Sequence, residues 1–116
     1  MSTIKIYHNP RCSKSRKTLE IIEDQGHKPE IVKYLETPPT VSEIINVLTL
    51  LGMKPRDLMR KNEAEYKENR LGDDSLSDEQ LIEMMHKFPK VIERPIVLSN
   101  GKAAIGRPPE SVLDII

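Results

Sequence analysis

The sequence contains a single cysteine, Cys12, among its 116 residues. One cysteine can form no disulfide within the chain, which excludes a disulfide scaffold, an internal redox pair and a multi-cysteine metal site. We therefore expect no metal centre, and we expect the protein to work in a reducing compartment, the cytoplasm.

A charge excess and long apolar runs are also missing. Eighteen basic residues cancel eighteen acidic ones, so the overall charge gives no electrostatic reason to expect nucleic acid or an anionic membrane as a partner. No apolar run approaches the roughly 20 residues that a membrane-spanning helix needs. The first six residues, M-S-T-I-K-I, lack the regions of a signal peptide. These absences predict a cytoplasmic protein with no nucleic-acid partner and no membrane partner.

The first third of the sequence predicts a strand, a helix and a second strand. Residues 3–7 alternate and are rich in β-branched side chains, a helical pattern runs from Cys12 until Gly26 ends it, and residues 31–35 form the second strand. A β-α-β crossover normally pairs its strands in parallel. The turn that contains Cys12 should therefore lie at the carboxyl edge of the first strand, where open α/β sheets usually keep their sites.

The rest of the sequence predicts helices followed by a hairpin. Helical patterns are found at residues 41–51, from Pro55, at 64–69 and at 78–87. Two apolar runs, 95–99 and 102–105, then flank Asn100-Gly101, a dipeptide typical of hairpin turns. A last helix is expected at residues 110–116.

The order of these elements is β-α-β, a helical insert, then β-β-α. This order indicates the α/β class and a thioredoxin-like fold with a mixed four-stranded sheet. We expect a single domain over residues 1–116, with the sheet built from halves at about 1–36 and 89–116 and a helical insertion at about 40–88.

Cys12 stands in the stretch N-P-R-C-S-K-S-R, residues 9–16. A lone cysteine is most often a small buried hydrophobe, but this one is predicted at the amino end of a helix, where unpaired N–H groups favour an anion. Arg11, Lys14 and Arg16 add positive charge. Such surroundings can lower the pKa of a thiol from about 8.5 to roughly 3.5–7.5, and the same N–H groups could bind a tetrahedral oxyanion.

Two further polar residues, His8 and Ser15, could each donate a hydrogen bond to the sulfur of Cys12. Ser15 also stands where a C-x-x-C motif would have its second cysteine. Because the chain has no resolving thiol, a covalent intermediate on Cys12 must be released by an external thiol. Glutathione is the obvious candidate.

Five separated stretches resemble the glutaredoxin-linked ArsC arsenate reductases. They are I-Y-H-N-P-R-C-S-K-S-R-K-T-L-E at 6–20, Y-L-E-T-P-P-T at 34–40, L-M-R-K-N at 58–62, R-P-I-V at 94–97 and R-P-P-E at 107–110. The resemblance covers essentially the whole chain. It implies that Cys12 attacks arsenate, that glutathione is the co-substrate, that no cofactor is bound, and that glutaredoxin completes the reduction to arsenite.

The resemblance also implies a set of site residues. The oxyanion would be held by Arg60, Arg94 and Arg107, and the thiolate would be supported by His8, Ser15 and Arg16. Arsenate is mostly a dianion at neutral pH, and planar guanidinium forks suit its oxygens better than the point charge of lysine. In thioredoxin-like folds the proline at the position of Pro95 is cis and abuts the cysteine turn, which would direct Arg94 at Cys12.

Two alternatives stay open. Ser13-Lys14 stands where the best-known arsenate reductases of this class have glycine and threonine, so an ArsC-like thiol oxidoreductase with another substrate is the first alternative. The second is an Spx-like regulator that binds RNA polymerase, a class that shares the fold. Such regulators typically carry a C-x-x-C switch here, and Ser15 argues against one.

Overall fold

The computed structural model describes residues 3–116 and divides the chain into two compact units. The sheet unit comprises the chain up to Thr37 together with Arg94–Ile116, and the helical unit is Pro38–Glu93. The helical unit thus begins two residues before, and ends five residues after, the insert expected from the sequence. No helix among residues 3–116 is long and apolar enough to cross a membrane.

The sheet unit contains four strands and one long helix. These are β1 (Lys5–His8), α1 (Ser13–Asp24), β2 (Glu30–Lys33), β3 (Ile96–Ser99) and β4 (Lys102–Ile105). The α1 helix ends as the sequence predicts, because Gly26 adopts φ +84° just beyond it, a conformation that costs glycine little. The hairpin between β3 and β4 turns at Asn100 and Gly101, both with positive φ, as expected for this dipeptide.

The strands form one mixed sheet in the order β2-β1-β3-β4. Strand β1 pairs with β2 in parallel, in register Lys5 with Glu30, and with β3 in antiparallel. Strands β3 and β4 are antiparallel. The prediction of an α/β, thioredoxin-like fold is therefore confirmed. This topology brings the carboxyl ends of β1, β2 and β4 and the amino end of β3 to one edge of the sheet.

The core of the sheet unit forms where α1 and the chain end pack on the sheet. Its buried members come from β1 and the residue before it, from α1, from β3 and from the C-terminal segment: Ile4, Ile6, Ile22, Val97 and Val112. The prediction of a final helix at 110–116 is corrected, because the structure has a 3₁₀ helix at Pro109–Asp114. Two adjacent prolines remove backbone donors at its start, and a segment this short favours the tighter 3₁₀ pattern.

The helical unit contains α2 (Val41–Leu51), α3 (Ala64–Glu68) and α4 (Asp78–Lys87). Thr40 with Glu43, and Ser77 with Gln80, form reciprocal capping boxes at the amino ends of α2 and α4. Short 3₁₀ helices occupy Pro55–Leu58 and Pro89–Val91.

Candidate active site

Cys12 is the N-cap residue of α1 and follows the carboxyl end of β1. A tight turn brings it there: the backbone N–H of Cys12 donates to the carbonyl of Asn9 at 3.0 Å, and the N–H of Arg16 donates to the carbonyl of Cys12 at 3.0 Å. The cysteine is partly buried. Its thiol therefore lies at the sheet edge where four strand ends converge, as the β-α-β pattern predicts.

The surroundings of Cys12 favour its thiolate. Burial, the largest influence, raises the pKa of the thiol. Hydrogen bonds from the backbone N–H groups of Ser15 and Lys14, and the positive charges of Arg94 and Arg107, act in the other direction, and the pKa of Cys12 is lowered overall. The helix N-terminus thus contributes to the ionisation of this thiol through specific N–H groups rather than through a general dipole alone.

Arg107 faces the thiol directly. Its Nη2 lies 3.7 Å from the Sγ of Cys12, and its Nε donates a hydrogen bond to the carbonyl of Arg94 at 2.8 Å. The Arg94–Pro95 peptide bond is cis, as expected, and Arg107–Pro108 is a second cis bond, which was not predicted. The structure therefore brings together Cys12, Arg94 and Arg107 from three separate parts of the chain.

Gly106 allows the end of β4 to lie close to α1, and it was not predicted to be important from the sequence. Its N–H donates to the carbonyl of Pro95 at 3.0 Å. A methyl group at position 106 would overlap Oγ1 of Thr18 on α1 and would lie 2.7 Å from Cγ of Pro95. The end of β4 can come this close to α1 only because position 106 has no side chain. A glycine at a strand end is the sequence signal that could have indicated such a close approach.

His8 and Ser15 contact each other. His8 is buried, with its Nδ1 2.7 Å from the Oγ of Ser15, and the N–H of Asn9 donates to the same Oγ at 3.0 Å. The pKa of His8 is lowered from 6.5, first by burial and then by the charge of Lys33. Ser15 acts on the sulfur through its backbone N–H, while its hydroxyl ties His8 to the turn. The two side chains therefore link the end of β1 to the first turn of α1, and their support of the thiolate stays a prediction.

Arg16 and Arg60 are placed differently from the other predicted site residues. Arg16 is exposed, and its Nη1 donates to the carbonyl of Pro10 at 3.4 Å. The cations that lower the pKa of Cys12 are Arg94 and Arg107, which come from distant parts of the sequence. Arg60 belongs to the helical unit, where its side chain forms an ion pair with Glu63. Its role in binding an oxyanion stays a prediction.

The described residues were also compared with the ligand sets of metal sites. No group of three or more histidine, cysteine, aspartate or glutamate residues within 3–116 could hold a metal ion.

These features define a thioredoxin-like protein with one cysteine at the amino end of its first helix and two arginines whose charges lower the pKa of that cysteine. The sequence matches the model of the ArsC family over residues 7–115, and the chain belongs to that family. An uncharacterized Escherichia coli K12 protein, YfgD, is 56% identical over 97% of this chain and 96% of its own length. An arsenate reductase of Neisseria meningitidis serogroup A is 47% identical over 97% of both chains. The structure of an arsenate reductase from Vibrio cholerae is 52% identical, with a TM-score of 0.96 over 98% of both chains.

Proposed function

We propose that this protein is an arsenate reductase that converts arsenate to arsenite, with Cys12 as the nucleophile and with glutathione and glutaredoxin as electron donors in the cytoplasm. One observation supports this proposal most strongly. The guanidinium of Arg107 faces the only thiol of the chain, with Nη2 3.7 Å from Sγ. The names of the Neisseria and Vibrio relatives agree with it.

The first step joins two anions. The Cys12 thiolate attacks the arsenic of hydrogen arsenate, an S–As bond forms, one oxygen leaves as hydroxide, and arsenic stays pentavalent. Cations held at the meeting point offset the repulsion between the two anions. Preorganised groups of this kind typically lower the activation free energy by several kcal/mol, about 2.7–4 kcal/mol for one oxyanion donor. Arg94 and Arg107 are the charges in position to do so at Cys12, and Arg60 is proposed as the third.

The reduction then draws on external thiols. Glutathione condenses at arsenic with loss of water, and a glutaredoxin thiolate attacks the glutathione sulfur. The electron pair of the As–S bond passes to arsenic, which becomes trivalent, and water releases arsenite from Cys12. In sum, arsenate and two thiols give arsenite, one mixed disulfide and water. The absence of a second cysteine in the chain supports an external donor, since no internal disulfide can form.

A coupled assay tests the proposal. Protein, arsenate, glutathione, glutaredoxin, glutathione reductase and NADPH are combined, and NADPH oxidation is followed. We expect oxidation that requires both arsenate and the protein, that is lost in Cys12→Ser, and that is kept in Lys17→Ala, which changes an exposed residue of α1 outside the cysteine turn. Arsenate-independent oxidation, or full activity of Cys12→Ser, would contradict the proposal.

The alternatives make different predictions in the same experiments. Ser13-Lys14 in the anion-binding turn favours a different reducible oxyanion as the main competitor, and the same assay with selenate in place of arsenate tests it. An Spx-like role predicts capture of RNA polymerase by the immobilised protein. It is disfavoured because Ser15, at the place of a switch cysteine, is hydrogen-bonded to His8.

A further inference from the structure

A cavity of about 280 Å³ opens beside the cysteine turn, within the sheet unit. One wall is the turn itself, residues 8–11, and the other is the end of β2 and the chain after it, with Lys33, Leu35 and Glu36. Its volume lies near the lower end of the range for small-molecule sites, about 300 Å³. The proposed steps at Arg94 and Arg107 leave this cavity unused.

The charges around the cavity have a distinctive pattern. Arg11 and Lys33 supply two cations, and Glu36 supplies one carboxylate, all three on exposed side chains. Leu35, which is 39% exposed, and Pro10 add apolar surface between them. A ligand that complements this wall carries two carboxylates, one ammonium and a short aliphatic stem. Glutathione has this set of groups: the carboxylates of its glycine and γ-glutamyl ends, the γ-glutamyl ammonium, and the methylenes between them.

We infer that this cavity, lined by the cysteine turn and by Lys33, Leu35 and Glu36, is the site where glutathione binds. The inference rests on the proposed function, which requires an external thiol at Cys12. It assigns that thiol a place and names Lys33 and Glu36 as the residues that select a γ-glutamyl tripeptide over other thiols.

The cavity is close enough to Cys12 to deliver a thiol. Pro10 in its wall is two residues from Cys12, which limits the distance between their Cα atoms to about 7.6 Å. Three extended residues span about 10 Å, and the glutathione thiol belongs to the middle residue.

The topology also separates the two reactants. The cavity lies on the β2 side of β1, whereas Arg94 and Arg107 come from the β3 and β4 side. Glutathione in the cavity therefore does not compete with the oxyanion for Arg94 and Arg107, and its thiol would meet the arsenic at the Cys12 sulfur, between the two groups of residues.

Thiol–disulfide exchange tests the assignment without any arsenate. The Cys12 thiolate attacks glutathione disulfide, one S–S bond breaks, the Cys12–glutathione S–S bond forms, and one glutathione thiolate leaves. The rate constant is measured by intact-mass spectrometry, and again with bis(2-hydroxyethyl) disulfide, which has no charge. The rate constant for glutathione disulfide is divided by that for bis(2-hydroxyethyl) disulfide. Because the reactivity of Cys12 affects both, this ratio reports recognition of the glutathione groups.

The variants distinguish specific binding of glutathione in the cavity from a general effect of the protein's net charge. Lys33→Ala should lower the ratio about fivefold, the loss expected for one partly exposed ion pair. Lys28→Ala, an exposed lysine in the loop before β2, removes the same charge and should leave the ratio within about twofold of wild type. Glu36→Gln gives the sharper comparison, because removing a negative charge should raise the ratio if only net charge matters and lower it if Glu36 binds the ammonium.

The outcomes separate this inference from the proposed function. A wild-type ratio near one, or equal ratios in Lys33→Ala and Lys28→Ala, overturns the cavity assignment even if arsenate is reduced. A ratio that falls in Lys33→Ala and in Glu36→Gln supports the assignment, even if the coupled assay shows that arsenate is not the substrate.

Discussion

Arg107 donates a hydrogen bond from its Nε to the carbonyl oxygen of Arg94 at 2.8 Å, thirteen residues earlier in the chain. The same guanidinium places its Nη2 3.7 Å from the sulfur of Cys12. One planar fork therefore fixes the backbone beside the cis proline and faces the thiol at the same time. Lysine has no second nitrogen in such a geometry, so this position depends on arginine rather than on positive charge alone.

Replacing Arg107 tests that dependence. Arg107→Lys should lose turnover almost as severely as Arg107→Ala, on the order of a hundredfold, the loss typical of one oxyanion donor. The measurement is the rate of the coupled arsenate assay at saturating glutathione. Lys17→Ala, which removes an exposed cation of α1 that pairs with Glu20, should keep wild-type activity. Near-normal activity in Arg107→Lys would show that charge alone is enough.

The ionisation of Cys12 gives a second prediction. Since backbone N–H groups and two arginines outweigh burial and lower the pKa of the thiol, iodoacetamide alkylation followed against pH should have its midpoint below about 8.5, the value of a free thiol. In Arg107→Ala the midpoint should move upward. A wild-type midpoint at or above about 8.5 would contradict the electrostatic description of the site.

His8 predicts a pH dependence of stability. Its pKa is lowered from 6.5 in the folded protein, so the unfolded chain binds a proton more readily than the folded one. The neutral form contributes stability that is present above pH 6.5 and is lost as the pH falls through the folded pKa. Thermal unfolding measured from pH 7.5 down to 5 should therefore show a steeper fall in Tm for wild type than for His8→Asn. Parallel curves for the two proteins would contradict this account.

Gly106 predicts a packing effect. Gly106→Ala should lower the free energy of unfolding by about 1–3 kcal/mol, as inserted methyl groups do in tightly packed places, because the added carbon meets Thr18 and Pro95. Denaturant unfolding measures this. In the double variant with Thr18→Ala the loss should be smaller than the sum of the single losses, since one of the two clashes is removed. Strict additivity would indicate that Gly106 and Thr18 are not in the contact described.

Local signals explain which elements could be predicted from the sequence. The bounds of α2 and α4 agree with the sequence patterns because their caps, Thr40 with Glu43 and Ser77 with Gln80, lie within four residues of each other. The C-terminal segment was predicted as an α-helix because its composition permits one. Its 3₁₀ form depends on Pro108-Pro109 and on packing against α1. Packing between distant segments cannot be predicted from a short stretch of sequence.

The sequence indicated which residues to consider for the site better than it indicated which of them interact. Cys12 and the two sheet-unit arginines could be chosen from motif and topology. The expectation that Arg11, Lys14 and Arg16 supply the positive charge at Cys12 rests on their nearness in the sequence. The charges that lower the pKa of Cys12 are those of Arg94 and Arg107, more than eighty residues away, so the contribution of the nearby cations could not be judged from the sequence alone. The pairing of His8 with Ser15 likewise follows from the path of the turn, which decides whether a side chain meets the sulfur or its neighbour.

The central claim is that Cys12 carries the arsenic. The most direct measurement is intact-mass spectrometry of the protein after treatment with arsenate and glutathione and rapid acid quenching. We predict an adduct that holds glutathione, directly or through arsenic, on wild-type protein and on Lys17→Ala, and that is absent from Cys12→Ser. Full turnover of arsenate by Cys12→Ser, or sustained turnover with thioredoxin as the only donor and no glutathione adduct, would contradict the claim.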